Sequence, residues 1–202
     1  MEKKIFYVMG KSASGKDTLF KLIREEFPEL RPLTIGTTRP IRDGESEGNP
    51  YHFCTDEEYQ NLQNTNQIME SRSYVTINGV WRYFTINDTI NMDSVETSYI
   101  GVGTLESFRS IKNYYRTYWD KSCCVFPIYI SVPDPLRLKR AIEREDHQKN
   151  PNYLELCRRF IADNDDFSAE RIFENEIYRT FVNIDLDVCK KEIFSYVRGM
   201  MR

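Results

Sequence analysis

The sequence predicts an α/β fold with a largely parallel sheet and a small antiparallel insertion, and three observations carry that prediction. Strand-like apolar runs alternate with segments of helical period along most of the chain. One such run, Ile5-Phe6-Tyr7-Val8-Met9, leads directly into Gly10-Lys11-Ser12-Ala13-Ser14-Gly15-Lys16-Asp17-Thr18. Between about Tyr51 and Ile86 the pattern changes, with the turn Asn78-Gly79 set between two β-prone runs, a strong hairpin signal.

Taken in order, the strand candidates are Lys4–Met9, Leu33–Thr37, Ser98–Val102, Val125–Val132 and Tyr178–Val182. Helices are expected from Lys16, from Leu105, from Pro133, from Asn152, and from Asp187 to the C-terminus. Leu19, Leu22, Ile23 and Phe27 recur on one face of the first helix. Pro133 and Pro135 suit a helix start, where a missing N–H costs nothing. In the insertion, Thr55-Asp56-Glu57-Glu58 reads as a capping box opening a short helix. The flanking runs Tyr74–Ile77 and Val80–Phe84 form the hairpin.

The first loop carries the clearest chemistry. A glycine, four residues and Gly-Lys between a strand and a helix is the spacing of a phosphate-binding loop. Small residues let several backbone N–H groups converge on one phosphate chain, and the helix N-terminus adds a favourable dipole. Gly10, Ser12, Ala13, Ser14, Gly15 and Thr18 would form the cradle, with Lys16 reaching the terminal phosphates. Asp17 stands where a Ser or Thr usually binds magnesium, and the hydroxyl comes one residue late at Thr18. A carboxylate at Asp17 can ligate the ion directly or through water, because hard cations take oxygen ligands.

Composition bounds the function classes. The 202 residues carry a net charge of −3, which argues against a nucleic-acid partner, since a phosphate backbone calls for a basic surface. No run reaches the apolar length of a membrane span, and Met1-Glu2-Lys3-Lys4 lacks a signal-peptide profile, so a cytoplasmic protein is expected. Cys54, Cys123, Cys124, Cys157 and Cys189 show no metal-ligand spacing and read as reduced, mostly core thiols. With only His52 and His147, neither a zinc site nor a Ser-His triad is supported.

A second charged segment, Thr37-Thr38-Arg39-Pro40-Ile41-Arg42-Asp43-Gly44-Glu45, places two arginines in a loop after a strand. Arginine grips phosphate with a planar fork, so the pair could hold a second phosphate facing the first site. This segment, then Gly48-x-x-Tyr51-His52-Phe53 and Glu70, resembles the nucleotide-acceptor region of guanylate kinases, and the likeness runs on to Val182–Leu186. The resemblance implies a P-loop NTPase three-layer α/β fold. It divides the chain into a core (1–34, 95–135 and 170–202), an acceptor-binding insertion (35–94) and a helical lid (136–169).

Roles carry over position by position. Arg39, Arg42, Tyr51 and Tyr83 match the groups that grip the acceptor's phosphate, and Glu70 matches the carboxylate that accepts hydrogen bonds from guanine. Arg140 and Arg144, one helical turn apart, and Arg159 match the lid arginines that join Lys16 on the transferring phosphoryl group. Asn183 matches a residue beside the donor's adenine. The resemblance implies ATP and Mg2+ as cofactors, GMP or dGMP as acceptor, small-molecule nucleotides as partners, and a monomer or homodimer.

The pattern departs from the family in three places. Asp17 is the first. Ile100-Gly101-Val102-Gly103 stands where the family has Leu-Asp-x-Asp, and Ile35 stands where it offers a serine hydroxyl to guanine. Retained phosphate grips with altered base readers leave two alternatives open: a kinase of this fold with another nucleotide or phosphorylated-metabolite acceptor, or a non-catalytic module docking a phosphorylated peptide.

Overall fold

The computed structural model describes residues 4–41, 45–48, 51–76, 79–87, 97–119, 125–149 and 151–202. Its centre is β1 (Ile5–Gly10), buried at every position. Such continuous burial marks a strand covered on both faces. It pairs in parallel with β7 (Tyr99–Gly103) on one side and β8 (Val125–Ser131) on the other. The short β2 (Arg31–Pro32) and β9 (Thr180–Val182) complete a five-stranded parallel sheet in the order β2-β7-β1-β8-β9.

Alternation along β1 sorts its side chains into two cores. Phe6 and Val8 join Leu19 and Ile23 of α1 (Lys16–Glu26) and Cys189, Ile193 and Val197 of α7 (Leu186–Met201). Ile5, Tyr7 and Met9 face the other way, against Phe108 and Ile111 of α3 (Leu105–Trp119). The expected parallel α/β core is therefore present, with helices on both faces.

The segment expected as one strand over 33–37 is divided between two sheets. Leu33 still donates its N–H to Ile100 O (2.9 Å), while Thr34 O already accepts from Ile86 N (2.9 Å). From β3 (Ile35–Thr37) onward the chain belongs to a second, four-stranded sheet ordered β4-β3-β6-β5. It contains β4 (His52–Phe53), β5 (Ile68–Thr76) and β6 (Gly79–Ile86). The insertion is mixed rather than wholly antiparallel, because β3 and β4 run parallel. The capping box forms as expected: Thr55 and Glu58 bond reciprocally at the start of α2 (Asp56–Asn64).

The hairpin β5–β6 is present, but Gly79 opens the return strand opposite Thr76 instead of sitting in the turn. The other half of the expected turn, Asn78, lies outside the described residues, as do Arg42 and the pair Cys123-Cys124. A one-residue irregularity between Ile68 and Glu70 shifts the register, a β-bulge of the kind that re-aims a side chain.

The segment expected as the lid holds two helices, α4 (Asp134–Asp146) and α5 (Tyr153–Asp166), the latter capped by the Asn152 side chain accepting from Glu155 N. A short α6 (Ala169–Glu174), not foreseen from the sequence, follows with Ser168 as its cap. Asp185 caps α7. Among the described residues no helix is long and apolar enough to cross a membrane. The described cysteines are unpaired thiols: Cys189 is buried and Cys54 half-buried, whereas Cys157 is exposed on α5 and does not belong to the core.

Candidate active site

The loop from Gly10 to Thr18 joins β1 to α1 and turns through two left-handed residues, Ala13 (φ 61°) and Gly15 (φ 85°). Gly15 suits that conformation at no steric cost. A side chain there would also strike the Asn183 amide. Asn183 is buried, and its Nδ2 donates to Ser14 O at 2.8 Å, tying the end of β9 beneath the loop. The structure thus places Asn183 as a brace of the cradle, with its amide N–H committed to the backbone.

Lys16, Asp17 and Thr18 line one recess with Ala13, Gly15, Arg140 and Arg144. Sequence reasoning placed the lysine and these arginines in one site, and the fold brings them together. Arg144 also lines a neighbouring recess between α4 and α5 with Ser12 and Arg159, where Glu145 and Glu155 add negative charge. Arg140 donates to Asn183 O (2.9 Å) and Ile184 O (3.2 Å). Arg159 is largely exposed and donates from Nε to Glu155 (2.7 Å). The acidic neighbours Glu143, Glu145 and Asp146 do not neutralise Arg140, and Arg144 has no ion pair among the described residues.

Asp17 lies in the first turn of α1, where a carboxylate complements the helix dipole. No group of three His, Cys, Asp or Glu side chains that could hold a metal occurs among the described residues. The donor set at Asp17 and Thr18 fits a Mg2+ held mostly by water and nucleotide phosphates, the usual mode of this ion in phosphoryl-transfer sites.

The lid is bolted to the loop by residues that sequence reasoning missed. Arg137 is fully buried, with its guanidinium 3.6 Å above the Phe160 ring. It donates to Asp134 (3.0 Å), Asp163 (3.1 Å) and Asn164 (3.3 Å). Asp163 also accepts from the backbone N–H of Ser12 at 2.7 Å, and Lys11 Nζ donates to Asn164 at 2.6 Å. A buried arginine stacked on an aromatic ring and forked onto carboxylates is the use for which lysine would not serve.

The second sheet carries the other cluster. Directly opposed residues share a face, so Thr37, Tyr83 and Arg72 form one row and Ile35, Thr85 and Glu70 the next. Arg39, buried to 4% exposure, donates from Nε to the Tyr83 hydroxyl (3.1 Å) and forks onto Glu45 at 2.7 and 2.6 Å. Its guanidinium also lies 5.2 Å from the Tyr51 ring centroid, and the Tyr51 and Tyr83 rings meet edge to face. The Glu45 hydrogen bonds hold Arg39 more firmly protonated than usual, while burial raises the Tyr51 hydroxyl. Three of the four residues expected to grip a phosphate therefore converge, with the Glu45 carboxylate bound to Arg39. The fourth, Arg42, is not described.

Glu70 is buried, and both oxygens are engaged. Thr85 Oγ1 donates to Oε1 (2.8 Å), and Arg72 donates from Nε to Oε2 (3.2 Å) and from Nη2 to Oε1 (3.4 Å). Burial raises the Glu70 carboxyl above the usual range, opposed by the Arg72 charge. Arg72 was not singled out from the sequence. The available signal was its position two residues beyond Glu70 in a strand, which puts both on one face.

The two glycines of β7 have a steric explanation. Tyr7 pairs with Gly101 across the sheet. A Cβ at Gly101 would lie 2.6 Å from the Tyr7 ring, and one at Gly103 would meet the Tyr7 hydroxyl and lie 2.6 Å from Ser107 Oγ. The Tyr7 hydroxyl donates to Ser107 Oγ at 2.8 Å. An aromatic side chain from the central strand fills the volume where the guanylate kinase pattern has carboxylates.

The guanylate kinase family profile matches residues 2–97, which span the phosphate loop and the second sheet. Over that stretch, a little under half of its length, the chain is similar to guanylate kinases. The guanylate kinase of Synechococcus sp. (strain JA-3-3Ab) is 39% identical over 71 residues, 35% of this chain and 33% of that one. That of Frankia casuarinae is 39% identical over 61 residues, 30% of this chain and 33% of its own. The matched stretch thus spans about a third of the length of these curated relatives. A crystal structure of guanylate kinase from Anaplasma phagocytophilum shares the fold across 99% of this chain and 86% of its own, with a TM-score of 0.60 at 18% identity. Arg140 and Arg144 of α4 lie beyond the residues matched by the profile, so their placement beside the loop is a contribution of the structure.

Proposed function

We propose that the protein is an ATP-dependent nucleoside monophosphate kinase that moves the γ-phosphoryl group of ATP to the phosphate of GMP or dGMP, giving ADP and GDP or dGDP. The observation that carries this is the single recess lined by Lys16, Asp17, Thr18, Arg140 and Arg144. Phosphoryl transfer asks a protein for alignment and for positive charge on the moving group, with little covalent work.

In this reading the loop amides and Lys16 hold the donor's β- and γ-phosphates. Arg140, Arg144 and Arg159 close over the γ-phosphoryl group as charge spreads onto its equatorial oxygens. Arg159 exchanges Glu155 for phosphate, and Arg140 exchanges two backbone carbonyls. Arg39, Arg42, Tyr51 and Tyr83 hold the acceptor phosphate, which displaces the Glu45 carboxylate from Arg39. Asp17 and Thr18 would hold a Mg2+ together with the nucleotide, and the ion would supply charge neutralisation to the donor phosphates. The acceptor's base lies toward the row of Ile35, Thr85 and Glu70.

A non-catalytic phosphopeptide module has no use for a cationic donor recess, and the pairing of Lys16 with two lid arginines speaks against it. A small-molecule enzyme of this kind would work in the cytoplasm as a monomer or homodimer. ADP release coupled to a reporter enzyme, run with ATP and a panel of GMP, dGMP, AMP, UMP and CMP, tests the proposal. Turnover with GMP or dGMP is expected, and folded protein inert toward every acceptor would overturn it.

A further inference from the structure

We infer that Arg72 reads the acceptor's base, selecting a 6-oxopurine by its O6/N7 edge instead of its 2-amino group. This rests on the kinase reading above and names the specificity determinant within it.

Three observations lead there. Glu70, which would read a purine's N–H groups, is covered: Thr85 takes one oxygen, and Nε and Nη2 of Arg72 lie against the carboxylate. Its side chain is 2% exposed, whereas that of Arg72 is 15% exposed. Arg72 also stands directly opposite Tyr83 on the face that carries the phosphate grip. The aspartates that would add acceptors on the far wall are absent, because Tyr7 occupies their volume. Nη1 of Arg72 instead reaches across to Thr104 Oγ1 at 3.5 Å, where β7 ends.

The base therefore meets hydrogen-bond donors where the family pattern would give it carboxylates. Nε and one N–H of Nη2 face Glu70, and the remaining N–H groups at the Nη1/Nη2 end of the guanidinium form a two-pronged donor. Guanine offers the matching pair of acceptors at O6 and N7, the commonest specific partner of arginine. Hypoxanthine presents the same edge. Adenine replaces O6 with an amino donor that faces the guanidinium and cannot pair with it. Glu70 becomes the positioning residue that fixes the fork.

Steady-state kcat/KM for GMP, IMP and AMP, in the wild type and in Arg72→Ala and Arg72→Lys, tests the inference. The wild type should use GMP and IMP within about threefold of each other and reject AMP by roughly 5- to 150-fold, the worth of one bidentate pair. Arg72→Lys keeps a cation against Glu70 but loses the fork, so folding is retained while GMP and IMP fall together toward AMP. Arg72→Ala should do the same more completely. A wild type that favours GMP over IMP by more than tenfold would overturn the inference, as would unchanged discrimination in Arg72→Lys. If no acceptor is phosphorylated the kinase reading fails instead. Calorimetric binding of GMP, IMP and AMP to the same three proteins then decides the role of Arg72 by the same ordering of affinities.

Discussion

The backbone N–H of Ser12 donates to the carboxylate of Asp163, 2.7 Å away and 151 residues along the chain. This bond fastens the lid to the phosphate loop, and the same oxygen accepts from the buried Arg137. The lid therefore rests on a preorganised ion-pair network and not on exposed charges, which contribute little.

Asp163→Ala removes two hydrogen bonds to charged groups and leaves Arg137 with fewer partners. A loss of roughly 1.5–3 kcal/mol is expected, the range for one bond of this kind. Urea denaturation checks it: the midpoint should fall with an unchanged slope. An unmoved midpoint would show that the network is dispensable.

Restoring a carboxylate at position 103 should fail while Tyr7 is present. Gly103→Asp drives a side chain into the Tyr7 hydroxyl and Ser107, and overpacking of this type costs about 1–3 kcal/mol. Tyr7→Phe removes the hydroxyl, so the double variant Tyr7→Phe/Gly103→Asp should be less destabilised than the sum of the singles. Strict additivity in a thermal double-mutant cycle would contradict the steric account.

Arg144 faces the recess of Lys16 without an ion pair among the described residues. If it stabilises the moving phosphoryl group, Arg144→Ala should lower kcat by on the order of 10³, the scale of an arginine finger. The affinity for ATP should change far less, because such a contact strengthens in the transition state. An equal loss in binding and in kcat/KM, with kcat preserved, would make it an ordinary binding residue.

Glu155 is held at about 2, below the usual carboxylate value of 4.5, first by its hydrogen bond from Arg158 and then by Arg159. A carboxyl lowered on folding stabilises the protein above its unfolded value. That contribution is lost as pH falls from about 4.5 toward about 2. Both arginines are more than half exposed, so the effect is small and screened by salt. Melting curves of the wild type and Glu155→Gln should differ at pH 6 and converge near pH 2. A gap that persists at low pH would assign it to another cause.

Much of the fold was legible because its signals are local. The loop spacing, the capping box at Thr55 and the helix starts at Pro133 and Asn152 are each written in a few consecutive residues. The division of 33–37 between two sheets was not, because it depends on Ile100 and Ile86, which bond Leu33 and Thr34 from distant strands. The same distinction runs through the site. Lys16, Arg140 and Arg144 announce themselves by spacing, whereas the buried roles of Arg137, Asn183 and Arg72 arise only when remote elements meet. Gly101 and Gly103 were legible as missing carboxylates, but their reason, Tyr7, is remote in sequence and lies on the neighbouring strand.

In the proposed function the loop and the α4–α5 segment form the donor half of a two-substrate kinase. Coupled ADP release with ATP, Mg2+ and GMP, for the wild type and Lys16→Ala, tests it most directly. GMP-dependent ADP formation is expected, and Lys16→Ala should abolish it while the variant keeps its fold by circular dichroism. ADP formation that is independent of acceptor, or that survives in Lys16→Ala, would contradict it.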